Sequence, residues 1–410
     1  MNKRKIINDP VYGFITIPFE LVFDLMEHPI FQRLRRIKQL GLTHYVYPGA
    51  LHTRFHHALG AMHLMIQAIK VLRDKGVEIT EEEAKAVIIA ILLHDIGHGP
   101  FSHTLEHTII DIHHEDLSVF FMEKLNESFD GALDLAIKIF KKDYHKKFLY
   151  QLVSSQLDMD RMDYLNRDSF FTGVAEGVIG YDRIINMLSV VDNELVVEEK
   201  GIYSIEKFLL ARRIMYWQVY LHRTVLGAEQ MLIRALQRAK WLTQNGEKVF
   251  ASESLAFFLK KDISKKDLLE EKEEVLKHYA ELDDVDIVSG LKSWCNHNDK
   301  VLSYLSKGLI KRNLFQVEIK ETPIKSDYEL HIRHKLRNKL GGDISDEDLE
   351  YLVFTGSESN RTYSKGKQEI KVKFKDGRVK RISDFSDFEI SPKSITKFYI
   401  CYPKFLNLMD

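Results

Sequence analysis

The chain has 410 residues, enough for two to three structural units at a usual ~100–200 residues each. With 45% hydrophobic and 29% charged residues it is not mainly disordered, and 59 Lys+Arg against 60 Asp+Glu leave a formal charge of −1, which excludes a global field favouring nucleic acid or an anionic membrane. The longest apolar stretch, Ala84–His94, is interrupted by Lys85 and falls far short of the ~20 residues a bilayer span needs.

Residues Met1–Pro18 read as extended, and they show neither the apolar core nor the cleavage site of a leader. A helical pattern begins at Phe19, and a second runs from Pro29 through Phe31, Leu34, Ile37 and Leu40 until Gly41 stops it. Tyr47-Pro48-Gly49 is a turn, and Arg54–Arg73 is an amphipathic helix. Thr80-Glu81-Glu82-Glu83 starts the buried helix Ala84–Asp95 with a capping box. Gly97, Gly99 and Pro100 break it, and a new helix is expected near Phe101. Further helices follow at Glu115–Leu125, Gly131–Phe140, Leu149–Arg167 and within Lys207–Gln244. From about residue 310 the texture changes. Leu314–Ile319 and Ile370–Lys375 alternate like strands, and Asp376-Gly377 signals a hairpin. The fold class expected is mostly α, with a helical unit over 1–310 (catalytic core about 45–240) and a smaller α+β unit over 311–410. Two cysteines, Cys295 and Cys401, suit a reducing compartment, so a cytoplasmic location is expected.

Eighteen histidines are present, and many fall between His44 and His114. His94-Asp95 closes the buried apolar helix. An imidazole and a carboxylate buried side by side are costly unless they pair or hold a metal. An isolated His-Asp pair is most simply a satisfied helix end. Here, however, His57 comes from a preceding helix and Asp158-Met159-Asp160-Arg161-Met162-Asp163-Tyr164 from a later one. Imidazoles and carboxylates from three helices make a nitrogen/oxygen shell for a divalent ion, and scarce cysteine leaves Mn, Fe, Ni, Zn or Mg as candidates. Arg54 lies one turn before His57, Arg161 adjoins Asp160, and Tyr164 and Asp168 follow at one-turn steps. His98 comes four residues after His94. His103 and Glu106 are spaced so that the carboxylate can orient the imidazole for general acid work.

Arg54-Phe55-His56-His57-Ala58-Leu59-Gly60, His94-Asp95-Ile96-Gly97-His98-Gly99-Pro100-Phe101-Ser102-His103, His114-Glu115 and the run Asp158–Tyr164 together resemble the motif series of the HD-domain phosphohydrolases. More narrowly, they are similar to deoxynucleoside triphosphate triphosphohydrolases of the sterile-alpha-motif-and-HD-domain type, without the sterile-alpha-motif part. The similarity starts at Lys5–Pro10, includes Phe31–Gly41 and Tyr220-Leu221-His222-Arg223, and weakens after about residue 240.

The resemblance implies His57, His94, Asp95 and Asp160 as metal ligands. It implies His103, backed by Glu106, as the acid that protonates the 5′ oxygen, with His98 and His114 lining the cavity. The relative carries Asp at the position of Glu106. Arg54, Arg161 and Arg212 would grip phosphates, Gln39 and Leu40 would touch the sugar edge, and Tyr164, Asp168, Tyr220 and His222 would complete the sugar and base pocket. The activity implied is conversion of a dNTP to deoxynucleoside and inorganic triphosphate by a homo-oligomer, dimeric or tetrameric. Two alternatives are an HD enzyme acting on a nucleoside monophosphate or cyclic nucleotide, and a non-catalytic nucleic-acid-binding or regulatory module. Gln39-Leu40 and Arg212 favour the triphosphate; His103-Glu106 disfavours a purely structural metal.

Lys5, Ile6 and Arg35 match parts of an activator site in such relatives, whereas Glu27 replaces an aspartate there. After Asp192-Asn193-Glu194, the acidic Glu198-Glu199 stands near where the relative is basic, so activation by a bound nucleoside triphosphate is expected to be lost or altered. The stretch Arg361–Arg381 carries nine basic and two acidic residues, a local net of +7. A solvated hairpin whose lysines discourage edge pairing is the simpler reading, a weak nucleic-acid surface the sharper one.

Overall fold

Helices carry most of the chain in the computed structural model, which describes residues 5–341, 344–360, 369–386 and 395–406. The chain opens with an antiparallel hairpin, Ile6–Asp9 on Gly13–Thr16, as the extended reading expects. Helix Glu20–Glu27 follows. The helix expected from Pro29 to Leu40 is shorter: it spans Pro29–Gln32, tightens into a 3₁₀ turn at Arg33–Arg36, and becomes extended at Ile37. The backbone is diverted by pairing, since Arg54 N donates to Ile37 O and Gln39 N to His52 O. That places Gln39 and Leu40 on a cavity wall instead of on a helix.

Three helices build the centre. Arg54–Asp74 packs on both Glu81–Leu93 and Met159–Thr172. Glu81–Leu93 starts at the expected capping box, Thr80 and Glu83 each accepting from the other's backbone N–H. It is buried from Ala86 to Leu93, so its C-terminal His94-Asp95 is delivered into the interior. Gly60 permits the closest helix contact: a Cβ there would lie 1.9 Å from Asp163 Oδ1 and 2.2 Å from Arg167 Nη2.

The expected helix Leu149–Arg167 is two. Lys147–Val153 ends at Ser154, and Asp158, its side chain accepting from Arg161 N, caps the start of Met159–Thr172. Near Phe101 the new helix is one 3₁₀ turn, Ser102–Leu105, entered through left-handed backbone at Phe101 (φ 54°) and Ser102 (φ 55°). Two non-glycine residues in that region store strain, which the surrounding bonds hold in place. Phe101 N donates to Asp284 Oδ1 at 2.7 Å, while Ser102 Oγ accepts from Arg54 Nε at 2.7 Å and donates to Lys38 O at 2.9 Å. Within 207–244, helix Ile202–Met215 passes through a π turn at Tyr216–Tyr220 before helix Arg223–Gln244.

Beyond 311, strand Gln316–Lys320 and strand Phe354–Asn360 flank Ile395–Tyr402 in an antiparallel sheet. The expected hairpin forms, with Lys371–Lys373 against Val379–Arg381 and Gly377 at φ 85°. Lys371–Lys373 also pairs in parallel with Val196–Glu198, extending the hairpin Leu188–Val191/Glu194–Glu198 into four strands. Arg361, Lys365 and Lys367 lie outside the described residues. Of the remaining basic positions, Lys371 is paired with Glu194, Arg378 with Asp376, and Arg381 lies 3.7 Å from Glu369. These pairs involve three of the six described basic positions of the stretch, the others being Lys373, Lys375 and Lys380. Among the described residues no helix is long and apolar enough to cross a membrane.

Candidate active site

His57 from the first central helix, His94 from the end of the second and Asp160 from the third converge on one point. His57 Nε2 stands 3.2 Å from His94 Nε2 and 3.2 Å from Asp160 Oδ1, and His94 Nε2 is 3.5 Å from the same oxygen. Asp95 closes a fourth side, with Oδ1 3.4 Å from His94 Nε2 and Oδ2 3.6 Å from His57 Nε2. The far nitrogens are committed. His94 Nδ1 donates to Ile91 O at 2.6 Å, and His57 Nδ1 donates to Asp163 Oδ2 at 2.7 Å. Asp163 is itself held by Arg167 at 3.0 Å, and Arg167 by Asp9 at 2.7 Å.

A carbonyl only accepts, so His94 Nδ1 carries the proton, and the carboxylate fixes the same tautomer in His57. When both rings are neutral, their Nε2 atoms present lone pairs to each other and to a carboxylate oxygen. That donor set fits a divalent cation and little else. The electrostatics agree. Burial disfavours charge on His57, yet Asp160 and Asp163 hold its imidazole up to about 10. Burial would raise Asp160, and His57 and His94 hold it well below the usual carboxylate range instead. The point between these groups calls for positive charge.

A second histidine cluster stands beside the first. The rings of His98 and His114 stack at 3.9 Å, and His103 meets them edge-on at 4.7 and 5.1 Å. Glu106 spans the group, with Oε2 3.0 Å from His103 Nδ1 and Oε1 2.7 Å from His114 Nδ1. The Gly97 turn makes this possible. A Cβ at Gly97 would lie 2.3 Å from His114 O and from Ser118 N. His103 faces an open cavity at 65% side-chain exposure while protein groups wall it in, and that enclosure lowers its pKa below 6.5, with Glu106 opposing. Burial would raise Glu106, but His103 and His114 hold it well below the carboxylate range.

Both clusters border a cavity of about 670 Å³. Its lining takes in Asp95, Asp160, His98, His103 and His114 from the clusters, and Arg54, Arg161 and Arg212. Gln39, Leu40, Tyr164, Asp168 and Tyr220 line it too. Arg54 pairs with Asp95, Arg161 Nε donates to Ser155 O at 2.6 Å, and Arg212 Nη1 donates to Gln156 Oε1 at 3.2 Å. Asp168 is clamped by His52 Nε2 at 2.8 Å and Tyr220 Oη at 2.7 Å. His222 is not among the residues lining the cavity. Its Nδ1 accepts from Thr224 N, capping helix Arg223–Gln244, and its ring packs edge-on to Tyr47. Lys5 and Arg35 lie over the rings of Phe23 and Phe55, and Ile6 and Glu27 are exposed.

Sequence reasoning passed over several wall residues. Tyr216 lies one π turn before Tyr220 on the wall itself, while behind the wall the buried His52, two residues before Arg54, and Asp163, within the acidic run, hold Asp168 and His57. Glu229 and Glu358 carried no local signal at all.

A family model described as "HD domain" matches residues 54–168, and one described as "HD associated region" matches 179–252. A phosphohydrolase from Bacteroides thetaiotaomicron, solved by crystallography, is 52% identical, with a TM-score of 0.93 over 98% of this chain and 100% of that one. The chain belongs to the HD-domain phosphohydrolases. An uncharacterised protein of Bacillus subtilis, YwfO, is 32% identical over 98% of this chain and 93% of its own length. The deoxynucleoside triphosphate triphosphohydrolase SAMHD1 homolog of Dictyostelium discoideum is 31% identical over 67% of this chain, which spans 58% of that relative's length.

Proposed function

We propose that this HD phosphohydrolase converts deoxynucleoside triphosphates to deoxynucleoside and inorganic triphosphate. The observation that carries the reading is one cavity bordered by a cation-binding cluster, three arginines and a carboxylate-backed histidine. The similarity to a named dNTP triphosphohydrolase supports it.

His57, His94, Asp95 and Asp160 would hold the divalent ion (Mn, Fe, Ni, Zn or Mg), which supplies charge neutralisation at phosphate and a more acidic water. Arg54, Arg161 and Arg212 meet the triphosphate charge from the remaining sides. Attack at the α phosphorus breaks its bond to the 5′ oxygen. His103, oriented through Nδ1 by Glu106, turns Nε2 to the cavity and gives that oxygen a proton, a contribution of ~10²–10⁴-fold. His98 and His114 fix the plane of the acid by ring contact. Gln39 and Leu40 face the sugar edge, where a 2′-hydroxyl would be crowded, while Asp168, held by two donors, keeps lone pairs for a sugar hydroxyl, with Tyr164 and Tyr220 beside it.

Chromatography after incubation of the metal-loaded protein with each dNTP tests this. Inorganic triphosphate and deoxynucleoside are expected; monophosphate with pyrophosphate, or no product, contradicts the reading. A homo-oligomer, dimeric or tetrameric, is the proposed assembly, measurable by light scattering. Nucleotide activation through Lys5, Ile6, Glu27 and Arg35 is proposed to be lost or altered, so single dNTPs should turn over without GTP.

A further inference from the structure

His103 and the edge Gln39-Leu40 come from distant segments, yet they border one cavity. Neither stands on an α-helix. Gln39 and Leu40 follow the extended Ile37, and His103 sits on a 3₁₀ turn entered through left-handed backbone at Phe101 and Ser102. Such backbone at two successive non-glycine residues persists only where the surroundings over-determine it.

Asp284, the first residue of helix Asp284–Trp294 and 3% exposed, joins the two segments. Its Oδ1 accepts from Phe101 N at 2.7 Å and its Oδ2 from Lys38 N at 3.0 Å, with Lys38 Nζ 3.4 Å from the same oxygen. Ser102 Oγ closes the junction by donating to Lys38 O at 2.9 Å. One carboxylate therefore fixes the main chain one residue before Gln39 and two residues before His103. The segments are in close contact, since a Cβ on Gly41 would stand 3.3 Å from Phe101 O. The carboxylate is itself anchored. Its neighbour Asp283 caps the helix, accepting from Val285 N at 2.8 Å, and pairs with Arg36. Burial raises the Asp284 pKa, and Lys38 and the two main-chain donors oppose that rise.

A general acid works only with its proton in reach of the leaving atom, and a remote change that displaces it by ~1 Å can cost ~10²-fold. We infer that Asp284 is a positioning residue: it sets the acid turn and the sugar edge at a fixed separation, so that His103 meets the 5′ oxygen of a sugar seated on Gln39-Leu40. This rests on the reading of the cavity as a dNTP site.

The test compares Asp284→Ala and Asp284→Asn with the wild-type, metal-loaded protein. Turnover is measured on a dNTP and on its 5′-thio analogue, in which sulfur replaces the bridging 5′ oxygen and leaves without needing a proton. Asp284→Ala is expected to lower kcat about ten-fold on the oxygen substrate, part of what a general acid contributes, and to leave kcat on the sulfur substrate unchanged. Asp284→Asn keeps one acceptor oxygen and should lose about three-fold on the oxygen substrate. Metal per chain should be unchanged in both. Main-chain hydrogen exchange, followed by mass spectrometry, should quicken together in peptides covering 37–40 and 100–104. Should the alanine variant fail to fold, the asparagine variant carries the test. Equal loss on both substrates, or loss of metal in step with turnover, overturns the inference, because a general disturbance would do the same. Exchange that quickens in one segment only, or in neither, overturns it as well. Joint quickening in a protein that releases no triphosphate from any dNTP keeps this clamp and removes the proposed reaction. Triphosphate release that both variants leave untouched does the reverse.

Discussion

The two histidine clusters lie side by side and differ in what fixes them. His57 and His94 are buried, their Nδ1 atoms pinned by Asp163 and a main-chain carbonyl, so that only Nε2 is free and both point at one spot. His103 and His114 share one carboxylate, Glu106, and His103 opens to the cavity. The first arrangement suits a permanent cation, because nothing there can move without breaking a buried network. The second suits a group that gains and loses a proton, because one face is solvated while a charged partner holds the ring. The same side chain thus serves two chemistries, and the difference lies in its neighbours.

Breaking the first cluster should have the largest effect. His94→Ala and Asp160→Ala are expected to lose both bound metal and turnover, read by elemental analysis per chain and by release of triphosphate. Metal retained at full stoichiometry would erase the distinction between the clusters. Next comes His103→Ala, expected to keep its metal while kcat falls ~10²–10⁴-fold. Asp163→Asn sharpens the comparison from the other side. It leaves every ligand in place but weakens the hold on His57 Nδ1, and metal affinity should fall ~10–100-fold by competition with a chelator. The smallest effect is on pH. Glu106 raises His103 against the lowering by burial. Glu106→Gln removes that support, so the protonated acid is lost at a lower pH, and the alkaline limb of kcat/KM should move down. A limb that stays in place would detach Glu106 from the acid.

Much of the central site was legible because local rules and tertiary packing agree there. The capping box at Thr80, the apolar run up to Leu93 and the glycines that follow define one helix, and its end has to be His94-Asp95. The misread helices failed where a side chain or a distant strand overrode periodicity. Asp158 caps a new helix inside Leu149–Arg167, and pairing with the His52 backbone straightens the chain at Ile37–Gln39. His222 carried a motif resemblance, but its cap bond to Thr224 keeps it off the cavity lining. Glu229 and Glu358 were invisible because they meet only through the fold, one from a helix whose pattern reads as plain amphipathic surface and one from the C-terminal sheet.

The central claim is that the α-phosphorus bond to the 5′ oxygen is the one that breaks, with His103 supplying the proton. Hydrolysis of a dNTP in ¹⁸O-labelled water, followed by mass spectrometry of both products, tests it most directly. The account predicts one ¹⁸O atom in inorganic triphosphate and none in the deoxynucleoside. Label in the nucleoside hydroxyl, or in released monophosphate or pyrophosphate, would contradict it.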